Sequence, residues 1–141
     1  MSYPLQMMLC DANFDSNMNL VDTSAANGKT VVLFSRPGCP HCEHMTEEYK
    51  GAIGLAPDVT FKVVNTGDCR GVMAAASGPA SPFKVNGVPK IVGYLNGQYF
   101  STYVRNEMAP AEALKNFRRA SDLALFGQTI GTVAPVQHQS A

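Results

Sequence analysis

Twelve residues constrain this chain more than any others: Val31-Val32-Leu33-Phe34-Ser35-Arg36-Pro37-Gly38-Cys39-Pro40-His41-Cys42, an apolar run that stops at a turn and opens onto a CxxC pair. Val31 to Phe34 are aliphatic or aromatic and too few for a helix, which suits a central strand buried on both faces. Pro37-Gly38 ends that strand. Beyond it, Met45, Tyr49 and Ile53 recur at helical spacing among Glu43, Thr46, Glu47, Glu48 and Lys50, which predicts a helix from Pro40 to about Gly54 with Cys39 at its tip. A sulfur at a helix tip meets unpaired backbone N–H groups and the positive end of the dipole, and positive charge on Arg36 or His41 adds to both. Cys39 therefore reads as the nucleophile. Cys42, nearly one turn further in and more shielded, reads as the thiol that resolves a mixed disulfide.

Two plainer readings compete. A CxxC pair is also half of a zinc site, for which His41, His44, Cys69 and Cys10 offer further ligands, and it can be a structural disulfide. Zinc sites of the usual layout need a second regularly spaced pair, which the chain lacks. The preceding strand favours redox chemistry, which needs no metal or organic cofactor. Cys10 and Cys69 stand alone in the sequence and are expected to be small side chains of no chemical consequence.

With 141 residues and 45% hydrophobic content, the chain has material for one core and is short for two. Its 11 basic and 11 acidic residues cancel, so no global field recruits nucleic acid or an anionic membrane. Met1 to Cys10 has neither the basic start nor the apolar run of a secretory signal, and no stretch is long and apolar enough for a transmembrane helix. A reducing, cytoplasmic location is the expectation.

Residues 1–28 carry Met7, Met8 and Met18 but little periodicity, and read as an N-terminal extension with a short edge strand at Asn19-Leu20-Val21. The methionines suit core filling, a loosely held arm or a soft docking surface. Strands are expected over Lys29–Ser35 and Val59–Asn65, parallel to each other because the CxxC helix joins them. A short helix at most covers Gly71–Ala76. Pro89 precedes a further strand, Asn96-Gly97 makes a two-residue hairpin turn, and Tyr99 to Val104 returns antiparallel. From the residues alone, the Val88–Pro89 bond reads as trans or cis. The last helix begins at Ala109-Pro110 and runs to about Phe126, with Lys115, Arg118 and Arg119 as a solvated face. Residues 127–141, including His138, form a polar tail.

The order strand, CxxC helix, strand, helix, Gly-Val-Pro strand, hairpin and terminal helix resembles the thioredoxin superfamily over about residues 20–126. Cys39-Pro40-His41-Cys42 is similar to its active dithiol, and Phe83-x-Val85-x-Gly87-Val88-Pro89-x-Ile91 with Asn96-Gly97 is similar to its cis-proline loop and hairpin. The resemblance implies an α/β fold, with a mixed sheet of about four or five strands flanked by helices over residues 29–126. It also implies a cis Pro89 lying against the dithiol, and a Val88 backbone that pairs with the substrate chain. The approach to Cys39 is closer to glutaredoxins and the hairpin closer to thioredoxins. The chain departs from both: no tryptophan precedes Cys39, Leu33 stands where thioredoxins keep a buried acid, and no Gly-Gly-Asp follows the hairpin. These departures leave thioredoxin reductase as partner and glutathione as ligand unassigned.

The Pro40-His41 dipeptide occurs in strongly oxidising members of the superfamily, which implies a potential above that of ordinary thioredoxins. The leading reading is thus a thiol–disulfide oxidoreductase acting on protein thiols and disulfides. The alternative is a structural component of a large assembly such as a virion, held among neighbouring subunits with its dithiol idle.

Overall fold

The computed structural model describes residues 3–21, 24–104 and 115–132. Its elements are β1 (Met8–Leu9), β2 (Lys29–Ser35), α1 (Pro40–Leu55), β3 (Thr60–Asn65), α2 (Arg70–Ser77), β4 (Lys90–Leu95), β5 (Gln98–Thr102) and α3 (Lys115–Gln128), with single 3-10 turns at Leu5–Met7, Asp11–Asn13 and Ser24–Ala26. The strands form one sheet in the order β1-β3-β2-β4-β5. β1, β3 and β2 run parallel, whereas β4 is antiparallel to β2 and β5 to β4. This is the mixed α/β sheet expected of a thioredoxin-like fold.

β2 sits at the centre because both of its faces are apolar. Val31 and Leu33 face one cluster with Met45, Tyr49 and Ala52 of α1 and Leu123, Ala124 and Phe126 of α3. Val32 and Phe34 face the other, with Val72 and Ala76 of α2, Phe83, Tyr94 and residues of the N-terminal segment. That is the two-residue period of a strand covered on both sides. Each such side chain stabilises the fold by about 1.5–3 kcal/mol. α1 is fastened to the sheet by Tyr49, whose buried hydroxyl donates to the Lys62 carbonyl at 2.7 Å. Gly51 lets α1 and α3 approach closely, since a Cβ there would lie 3.1 Å from that of Ala120.

Several expectations need correction. The edge strand that the N-terminal segment supplies is Met8–Leu9, paired with Val63 and Val64, while Leu20 forms an isolated bridge to Phe14 and its N–H donates to the Gly97 carbonyl at 2.7 Å. The apolar Met8-Leu9 pair fits the β3 edge, and the strand stops where the Cys10 N–H turns to the Asn13 carboxamide at 2.9 Å. Met18 is fully buried, and its carbonyl accepts from the Tyr94 hydroxyl at 2.7 Å, so this methionine fills the core. Glu48 is buried too, because it follows Met45 by three residues and so shares its inward stripe. α2 is a full helix of 8 residues. Beyond Phe126 the chain still contributes to the core: Ile130 is buried over β4 at Gly93, where a Cβ would lie 2.8 Å from Ile130 Cδ1. The start of the last helix at Ala109-Pro110, the side chains of Lys115 and Arg118, and the tail beyond 132 with His138 lie outside the described residues.

Candidate active site

The central strand ends at Ser35, three residues turn, and Cys39 takes the N-cap position of α1 with Pro40 in the first turn. Gly38 adopts φ +81°, a left-handed conformation that a residue without Cβ reaches cheaply, and this sets the sulfur at the helix tip. The Cys42 N–H donates to Cys39 Sγ at 3.3 Å. The Cys39 thiol in turn lies 3.8 Å from the Val88 carbonyl oxygen, to which it donates. The Val88–Pro89 peptide is cis, the isomer that the resemblance implies. Residues from positions 39 and 88 thus meet across the end of the sheet.

Cys39 and Cys42 are both free thiols, Cys39 only 5% exposed and Cys42 fully enclosed. Burial pushes the Cys39 thiol up, but hydrogen bonds from the Cys42 side chain and backbone, the charge of Arg36 and the backbone N–H of His41 outweigh it. The net position is below the ordinary thiol range. Cys42 moves the other way: burial and its hydrogen bond to Cys39 hold it protonated, with a hydrogen bond from the Ser35 side chain opposing them in part. The two sulfurs therefore divide into one that ionises early and one that keeps its proton.

Arg36, Pro40 and His41 are exposed around the tip, and Val88 and Pro89 are half-buried against it. His41 contributes its backbone amide. Leu33, fully buried among apolar neighbours, leaves no acid at its place on the strand. Ser35 went unnoticed in the sequence, and its signal was available: it is the last strand residue, pointing to the same end as the dithiol.

The other two cysteines overturn their expected inertness. Cys10 and Cys69 form a disulfide across 59 residues of sequence, linking the segment after β1 to the N-cap of α2. Neither is therefore available to a zinc site built on Cys39 and Cys42. Among the described residues, the donor atoms that converge for a metal are those of Cys10, Asp11 and Cys69, of which the two sulfurs are bonded to each other. No described helix is long and apolar enough to cross a membrane.

The thioredoxin family model matches residues 6–120. No curated protein sequence matches the chain. Among solved structures, human ERp44 in its zinc-bound form aligns with 87% of this chain and 31% of its own length, at 14% identity and a TM-score of 0.60. The oxidised form of mitochondrial thioredoxin 3 from Saccharomyces cerevisiae aligns over 55% of this chain and 67% of its own length, at 22% identity and a TM-score of 0.48. The likeness to ERp44 is one of fold, and this chain spans about a third of that protein. A family match over most of the chain, joined to a parallel strand that delivers a CxxC pair to a helix tip, makes the assignment: the chain belongs to the thioredoxin family.

Proposed function

We propose that the chain is a thiol–disulfide oxidoreductase of protein substrates, with Cys39 as nucleophile, Cys42 as resolving thiol and the Val88 backbone as the edge along which the substrate chain lies. The observation that carries this reading is the placement of Cys39 Sγ, at the α1 N-cap, 3.3 Å from the Cys42 N–H and 3.8 Å from the Val88 oxygen.

In the reducing direction, the Cys39 thiolate attacks one sulfur of a substrate disulfide. A bond forms between them, and the other substrate sulfur leaves as a thiolate. Cys42 then gives up its proton, the departed thiolate being the base at hand, and attacks Cys39 Sγ. The substrate's second sulfur is released, two electrons have passed to the substrate, and Cys39 and Cys42 are joined. Stabilising the Cys39 thiolate stabilises the reduced pair and raises the potential, and the Pro40-His41 dipeptide between the cysteines supports a value above the roughly −270 mV of ordinary thioredoxins.

Cys39→Ser in an insulin-reduction or dithiol-oxidation assay tests the reading. Loss of turnover is expected, and undiminished turnover refutes it. Nothing in the fold or the comparisons supports the alternative of a virion component.

A further inference from the structure

The Cys10–Cys69 bond is asymmetric. Cys69 is buried, whereas Cys10 is partly exposed, so an incoming thiolate reaches Cys10 first. Cys69 occupies the N-cap position of α2, where the positive end of the helix dipole favours negative charge on the departing sulfur, although its side chain takes no hydrogen bond from the helix amides. Its Sγ also lies 3.6 Å from the Leu9 carbonyl oxygen, a ready acceptor for the thiol proton once the bond opens.

A fixed negative charge stands beside both sulfurs. The Asp11 carboxylate has an oxygen within 4.8 Å of each. It is held there because its Oδ1 accepts from the Val72 N–H at 2.8 Å, and because Gly71 leaves it room: a Cβ on Gly71 would lie 2.8 Å from Asp11 Cγ. Asp68 and Arg70, both exposed, flank Cys69 in the chain with opposite charges.

We propose that Cys10–Cys69 is a second thiol–disulfide exchange site, in which an external thiolate attacks Cys10, Cys69 leaves, and the Asp11 carboxylate selects cationic or neutral thiols over anionic ones. The attacking sulfur forms a bond to Cys10 Sγ. The old S–S bond breaks with its electron pair on Cys69, which takes a proton from solvent and turns it to Leu9. A second external thiolate then attacks the external sulfur of the mixed disulfide. Cys10 leaves as a thiol, the two external thiols depart as a disulfide, and the protein has gained two electrons. Opening the bond removes the covalent tie between the N-terminal segment and α2.

The test uses the full chain as Cys39→Ser/Cys42→Ser, so its result does not depend on whether Cys39 catalyses anything. The oxidised protein is exposed briefly, at low salt and matched thiolate concentration, to cysteamine, 2-mercaptoethanol or 3-mercaptopropionate, then acid-quenched and mapped by peptide mass. The adduct is expected on Cys10, at least about tenfold over Cys69, with cysteamine about three- to tenfold faster than mercaptopropionate. Asp11→Asn keeps an acceptor for Val72 and removes the charge, and should bring the two rates together. Adducts on Cys69 or equally on both cysteines, no reaction without denaturant, or a rate ratio that Asp11→Asn leaves unchanged would each overturn the proposal. Should the double variant not fold, the same mapping on the single Cys39→Ser variant, whose remaining Cys42 is enclosed, decides the matter by the same outcomes.

Discussion

The molecule places a cysteine at a helix N-cap twice, at the same distance from a strand end. β2 ends at Ser35 and Cys39 follows four residues later at the N-cap of α1; β3 ends at Asn65 and Cys69 follows four residues later at the N-cap of α2. Ser35 and Asn65 are register partners on adjacent parallel strands, so both cysteines hang from one end of the sheet, beside helices on opposite faces. What differs is where the partner comes from. Cys42 is one turn along the same helix, and a bond to it closes a loop too short to constrain the unfolded chain much. Cys10 is 59 residues away, and its bond ties an edge segment to a helix on the far side of a long loop. The same N-cap placement, with a cap hydrogen bond to the sulfur at Cys39 and none at Cys69, thus suits two ends: a pair whose redox state would change at little cost to the fold, and a pair whose redox state the fold would feel.

The largest expected effect breaks the comparison at the half proposed to be catalytic. Cys39→Ser should lower disulfide turnover by about three orders of magnitude or more, to the level of the uncatalysed reaction. A steady-state insulin assay reads this directly, and retention of even a tenth of the activity would mean that the two helix tips have been assigned the wrong way round. The staple half is probed next. Replacing both Cys10 and Cys69 by serine should cost about 4 kcal/mol of stability from the loop length alone, seen as a lower urea midpoint. A loss under about 1 kcal/mol would remove the contrast drawn above.

Smaller changes sharpen the division of labour within the dithiol. Ser35→Ala removes a hydrogen bond that helps Cys42 ionise, so the resolving step should slow about tenfold and mixed disulfide should accumulate in quenched turnover samples. Arg36→Ala should have the smallest effect. The guanidinium is exposed and screened, so alkylation of Cys39 at neutral pH should fall by about threefold or less.

The Cys39–Cys42 half was legible in the sequence because its signals are local. Val31 to Phe34 declare a strand, Pro37-Gly38 a turn, and Met45 and Tyr49 a helix, and the observed β2 and α1 begin where those residues place them. The hairpin at Asn96-Gly97 was equally plain, since both residues take positive φ. The Cys10–Cys69 bond was not legible, because pairing across 59 residues depends on β1 docking on β3, and Met8-Leu9 is too short to announce a strand. Ile130 and Glu48 escaped for a related reason. The first is buried because Gly93 leaves space on another strand, and the second because of its angle on a helix whose neighbours include charged residues.

The account rests on the unequal acidity of two neighbouring sulfurs, and the pH dependence of iodoacetamide alkylation, followed at each cysteine by mass spectrometry, measures it. A lowered thiol ionises at lower pH, so the Cys39 rate should rise through an inflection below the value of a free cysteine thiol measured alongside, with Cys42 inflecting above it. A Cys39 inflection at or above that value, or a Cys42 inflection below that of Cys39, would contradict the account.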